Sequence, residues 1–130
     1  MKFFVVDDSD ALRAVLRSRL EALPRASVVG EATNADDAIS GILEARPDVV
    51  TLDFRLATGT CLRVIRAVKR SSPDTTIVVL TNHPEDAYRR RCVGLGCDYF
   101  FDKSVEFEEA IRLCAALAGN ADAPATAKCP

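Results

Sequence analysis

The chain has 130 residues, 48% of them hydrophobic and 28% charged, with a formal net charge of −2. This is ordinary globular usage for one domain with a sizeable core, and its slight acidity argues against a nucleic-acid partner. No apolar run approaches the ~20 residues needed to span a bilayer, so no membrane role is expected.

The first apolar run, Phe3-Phe4-Val5-Val6, ends in Asp7 and Asp8. Runs of this length, rich in Val, Phe and Ile, read as strands buried on both faces. Leu12, Val15, Leu16, Arg19, Leu20 and Leu23 then recur at helical spacing and predict a first helix. A weak second strand over residues 27–31 rests on its place in the alternation. Ala35, Ala38, Ile39, Ile42 and Leu43 predict a second helix, which Asn34 can cap and Arg46-Pro47 ends. Val49-Val50-Thr51-Leu52 is a third strand, ended by Asp53, and Leu62, Ile65 and Val68 mark a third helix with Thr60 as its cap. Ile77-Val78-Val79-Leu80 ends in Thr81, and Pro84 with Glu85 and Asp86 suits the first turn of a fourth helix. Tyr99-Phe100-Phe101-Asp102 ends in Lys103, and Phe107, Ala110, Ile111, Cys114 and Leu117 mark a fifth helix that stops near Ala118.

Five βα units without a hairpin turn predict an α/β protein with a parallel sheet. Right-handed crossovers in so short a chain favour an open doubly wound sheet of order 2-1-3-4-5. Residues 1–118 are expected to form this domain. Residues 119–130, small and Ala-rich, read as a disordered tail, with no room for an output domain.

In that order the first and third strands are neighbours at the switch point, so Asp7, Asp8 and Asp53 converge at the carboxyl ends. Clustered carboxylates repel one another, which either raises a pKa or recruits a cation. Oxygen-only ligands, with no His or Cys nearby, suit Mg²⁺ or Mn²⁺. Thr81 and Lys103 on adjacent strand ends add a hydroxyl and an ammonium. The rim then holds the parts for a phosphoryl group, with Asp53, alone and central at its strand end, as the nucleophile.

Val5-Val6-Asp7-Asp8, Val50-Thr51-Leu52-Asp53, Val79-Leu80-Thr81 and Phe100-Phe101-Asp102-Lys103 together resemble the receiver domains of two-component response regulators, over about residues 2–118. The resemblance implies a flavodoxin-like fold and phosphotransfer to Asp53 from a histidine kinase or a phosphotransfer protein. It implies Mg²⁺ held by Asp8, Asp53 and the main-chain carbonyl of Arg55, with Asp7 acting through water. It also gives Lys103 the phosphoryl contact, Thr81 the switch hydroxyl and Phe100 the switch aromatic. Thr81 would move toward the phosphoryl group and its vacated space would admit Phe100. The output would pass through the face of the fourth helix, fifth strand and fifth helix, to a downstream protein or into a homodimer.

Several positions depart from the family pattern. Ser104 replaces the usual proline after Lys103, which removes the ground for assuming a cis peptide there. Ala57 replaces a frequent proline, Asn82 a smaller residue, and Cys61 a common glycine, so Cys61 would be strained if its backbone needed φ > 0. Arg55 and His83 could flank the path of an attacking water and alter self-dephosphorylation. His83 before Pro84 reads as an exposed helix-entry residue rather than a relay histidine. Arg89-Arg90-Arg91 points around a helix and reads as a solvated face, with docking of an acidic partner together with Tyr88 as the alternative.

Five cysteines, Cys61, Cys92, Cys97, Cys114 and Cys129, show no metal-ligand spacing and fit a reducing, cytoplasmic setting. Cys97 and Cys114 read as buried, Cys129 as exposed. Two other functions compete. A haloacid-dehalogenase-type phosphatase also uses an aspartyl phosphate, but its acid/base Asp would stand where Arg55 is. A receiver-like interaction module would keep the fold and work without phosphorylation.

Overall fold

A computed structural model describes residues 1–56, 60–82 and 84–119. Strands and helices alternate throughout: β1 (Lys2–Val6), α1 (Asp10–Glu21), β2 (Ser27–Ala32), α2 (Ala35–Ala45), β3 (Val49–Leu52), α3 (Cys61–Ser71), β4 (Thr76–Thr81), α4 (Asp86–Gly94), β5 (Tyr99–Asp102) and α5 (Phe107–Leu117). The five strands pair in parallel in the order β2-β1-β3-β4-β5. This is the flavodoxin-like order the alternation predicts. Of the tail expected over 119–130, residues 120–130, Cys129 among them, lie outside the described residues, as do Ala57 and His83.

Strand periodicity divides the interior in two. Phe4, Val6, Val50, Leu52, Ile77, Val79 and Phe100 face α2, α3 and α4, while Phe3, Val5, Val49, Val78, Leu80, Tyr99 and Phe101 face α1 and α5. Burial on both faces is why these strands read as unbroken apolar runs. The edge strand β2 alternates exposed and partly buried residues instead, and a register shift opposite Phe3/Phe4 interrupts its ladder. Its weak sequence signal follows from that edge position.

Local chemistry sets the helix ends. Asn34 accepts from the Asp37 amide at 2.9 Å, and Arg46 closes α2 in the left-handed region at φ 49°, just before Pro47. Thr60 occupies the cap position of α3, yet its hydroxyl makes no cap hydrogen bond. The fourth helix begins at Asp86, so Pro84 and Glu85 precede its first turn rather than form it. Ser9 accepts from the Leu12 amide at 3.2 Å and caps α1. Val15 and Leu43 keep the helical period but lie on the solvent side, 46% and 38% exposed. Cys61 opens α3 and is not among the positive-φ residues, so the strain that a glycine position threatened does not arise. All described peptide bonds are trans, Lys103–Ser104 included.

Two glycines, Gly30 and Gly41, lie against the Phe4 ring. A Cβ on Gly41 would come within 2.7 Å of the Phe4 ring, and one on Gly30 within 2.5 Å. Gly41→Ala adds helix propensity worth about 1 kcal/mol but forces Phe4 out of its slot at about 1–3 kcal/mol. Overpacking wins, so urea unfolding should show Gly41→Ala destabilised. Thr51, on β3 and 2% exposed, has the opposite defect: its hydroxyl has no hydrogen-bond partner. Thr51→Val keeps the shape and removes the orphan, and should raise unfolding free energy by about 0.5–1.5 kcal/mol in the same assay.

Candidate functional site

The sheet ladder continues one residue beyond three strand ends. The amide of Asp7 donates to Ala32 O at 3.1 Å, that of Asp53 to Val6 O at 3.0 Å, and that of Lys103 to Thr81 O at 2.8 Å. Each bond fixes a functional side chain on the carboxyl rim of the sheet. The parallel register therefore brings together residues separated by up to 96 positions in the chain.

Lys103 Nζ lies 2.8 Å from Asp7 Oδ2 and 3.3 Å from Asp53 Oδ2. The lysine side chain is 6% exposed, and those of Asp7 and Asp53 are 2% and 11% exposed. Asp7 Oδ1 accepts from the Ser9 amide at 2.8 Å, and Arg13 Nη1 donates to the Asp7 carbonyl oxygen at 3.0 Å. Asp8 is exposed and completes the cluster, in which one oxygen from each of Asp7, Asp8 and Asp53 lies within 4.8 Å of the others. These oxygen-only donors, open to solvent through Asp8, fit a hard divalent ion such as Mg²⁺. Three carboxylates against one ammonium leave the pocket two charges negative, which a divalent cation neutralises.

Thr81 ends β4 fully buried, beside this rim. Phe100 on β5 is 2% exposed and packs in the α2–α3–α4 core, with the Arg89 guanidinium 4.7 Å from its ring centroid. Both switch candidates are thus inside the protein in this structure. Arg55 is exposed and pairs with Thr60 in an isolated bridge. It lines a 460 Å³ cavity with Phe54, Leu56, Leu62, Tyr88 and Arg91. Asn82 is exposed. Arg89, Arg90 and Arg91 are exposed as a solvated face would be, although Arg89 covers Phe100.

Sequence reasoning missed Arg13, Ser9 and the stack of Phe54 on Tyr88, with centroids 4.3 Å apart. Ser9 carried a readable signal, a capping residue just ahead of the first periodic leucine. Arg13 carried none. Its tie to Glu31 Oε1 at 3.1 Å needs the α1–β2 juxtaposition.

A family model for the response regulator receiver domain matches residues 3–115. The chain belongs to the response regulator receiver family. Its receiver is 32% identical over 112 residues to the DNA-binding transcriptional activator DevR/DosR of Mycobacterium tuberculosis, covering 86% of this chain and 52% of that protein. It is 32% identical over 103 residues to protein-glutamate methylesterase/protein-glutamine glutaminase 3 of Geobacter sulfurreducens, covering 79% and 28% of the two chains. Among solved structures, the receiver domain of the NarL regulator of M. tuberculosis superposes with a TM-score of 0.82 at 25% identity, covering 92% of this chain and 97% of that one. The chain spans about half or less of the length of these curated relatives. Receiver domains bind Mg²⁺ at an acidic pocket and interact with histidine kinases or phosphotransfer proteins. Among the described residues, no helix is long and apolar enough to cross a membrane.

Burial pushes the receiver's Asp53 carboxyl above the usual carboxylate range; the charge of Lys103 opposes this and that of Asp7 adds to it. A raised acid stabilises the fold below its unfolded value and loses that contribution as pH rises through its folded value. At neutral pH without divalent ions the ionised Asp53 is therefore a cost. Asp53→Asn should raise the thermal midpoint by about 2–6 °C under those conditions, a gain that vanishes in acid and is reversed by Mg²⁺ binding to the unsubstituted protein. Differential scanning fluorimetry across pH, with and without Mg²⁺, checks this.

Proposed function

We propose that the chain is a phosphorylation-controlled signalling switch, in which Asp53 accepts a phosphoryl group from the phosphohistidine of a histidine kinase or phosphotransfer protein. The observation that carries this reading is the buried Lys103 ammonium held between Asp7 and Asp53 on the rim of the sheet. It places a fixed cation beside the carboxylate that would become the acyl phosphate.

An Asp53 carboxylate oxygen attacks phosphorus in line, the P–N bond to the donor imidazole breaks, and the leaving imidazole takes up a proton. Lys103 Nζ exchanges part of its contact with Asp53 for a phosphoryl oxygen. When bound by Asp8, Asp53 and the main-chain carbonyl of Arg55, with Asp7 through water, Mg²⁺ supplies neutralisation of the phosphoryl oxygens. Thr81 turns its hydroxyl toward one of those oxygens. Because Phe100 is already packed inward, the signal is a shift in the population of Thr81 and α4 arrangements rather than a first burial of the ring. Output runs through the face of α4, β5 and α5 to a protein partner, and Phe100, lacking a hydroxyl, acts there by packing alone.

Incubation with Mg²⁺ and acetyl phosphate, read by intact mass, tests the reading. The protein should gain one phosphoryl group, and both Asp53→Asn and chelation of Mg²⁺ should abolish the gain. No gain in the unsubstituted protein would favour a module that works without phosphorylation, and catalytic turnover of a phosphate ester would favour the phosphatase reading.

A further inference from the structure

Cys61 opens α3 and Cys92 lies in the last turn of α4, and their sulfurs are 3.7 Å apart with both residues fully buried. A disulfide requires about 2.05 Å, so the two sulfurs must close by about 1.7 Å, within reach of a small shift of one helix. Cys97 is buried in the same core cluster, and Cys114 lies on the opposite face of the sheet. The element able to admit an oxidant is α4. Cys92 is its one fully buried residue, and its cap residue Glu85 makes no side-chain cap hydrogen bond. An element with so little buried surface opens locally at low free energy.

We propose that Cys61 and Cys92 form a dithiol site that hydrogen peroxide oxidises to a disulfide, stapling α3 to α4 and restraining the receiver's switch. Contact with the Cys61 sulfur holds the Cys92 thiol below its ordinary value against the effect of burial, and the charge of Arg91 assists, which favours Cys92 as the attacking thiolate. Its sulfur attacks one peroxide oxygen, the O–O bond breaks, and the departing hydroxide takes up a proton to leave as water. Cys92 is then a sulfenic acid. The Cys61 sulfur displaces its hydroxyl, which leaves with the Cys61 proton as a second water while the S–S bond forms. The two sulfurs together give up two electrons, and these reduce the peroxide. The restraint follows from what adjoins the pair. The Cys61 amide donates to Phe54 O at 2.9 Å, next to Asp53, and the Phe54 ring stacks on Tyr88 of α4.

The test treats the whole chain with hydrogen peroxide, caps remaining thiols, digests without reductant and maps the peptides. A Cys61–Cys92 linked peptide lacking two hydrogens, formed ahead of any change at Cys114, reversed by dithiothreitol and retained in Cys97→Ser, supports the site. Linkage to Cys97 or Cys129 instead, or sulfinic acids without linkage, overturns it. The mapping on the unsubstituted protein decides this even if Cys92→Ser fails to fold. The restraint rests on the phosphoacceptor reading, and its readout is separate. Oxidised protein should label from acetyl phosphate at least about threefold more slowly than reduced protein, with recovery on reduction. Equal rates overturn the restraint. Failure of the reduced protein to label strikes the phosphoacceptor reading and leaves the linkage result standing.

Discussion

One buried ammonium organises this protein. Lys103, 6% exposed, sits between two carboxylates that are themselves almost withdrawn from water. An isolated charge at such depth costs several kcal/mol, so the lysine and its acids are tolerable only together and only in register. The register comes from the sheet. Parallel pairing places β1, β3 and β5 so that their last residues meet across the carboxyl rim, and backbone bonds past the strand ends hold Asp7, Asp53 and Lys103 there. A slip of one residue in any of these strands would turn its functional side chain to the other face.

The same lysine leaves the pocket incomplete. It cancels one of three negative charges, and the remainder suits a divalent ion and then a phosphoryl group whose oxygens need the cations already gathered. From this pocket two contacts reach α4: Phe54, next to Asp53, stacks on Tyr88, and Phe100 lies under Arg89. The helix receiving them is the least buried of the five helices, with Cys92 as its single buried residue. A weakly held helix tied to the neighbour of Asp53 is what a local charge event can bias.

Much of this was legible in the chain, for a physical reason. Strands buried on both faces must be continuous apolar runs, so their ends stand out, and the residues at those ends share one rim. Thus Asp7, Asp8, Asp53, Thr81 and Lys103 could be grouped without coordinates. Legibility failed where partners are set by packing between distant elements. The edge strand β2 left almost no pattern, and Val15 and Leu43 kept a helical period while facing solvent. Arg13 on the carbonyl of Asp7, Phe54 on Tyr88, and Cys61 beside Cys92 each join elements whose contact no local spacing encodes.

If the acids of the rim act as one cation site, they must bind a divalent ion ahead of the other acidic ground on the surface. Titration of isotopically labelled protein with trace Mn²⁺, read by paramagnetic broadening of amide resonances, addresses it directly. Broadening should come first and most strongly at Asp7, Asp8 and Asp53 and their chain neighbours, be relieved by excess Mg²⁺ and be lost in Asp53→Asn. Broadening spread evenly over acidic surfaces, including the groove lined by Glu31, Asp37 and Glu44, would contradict it.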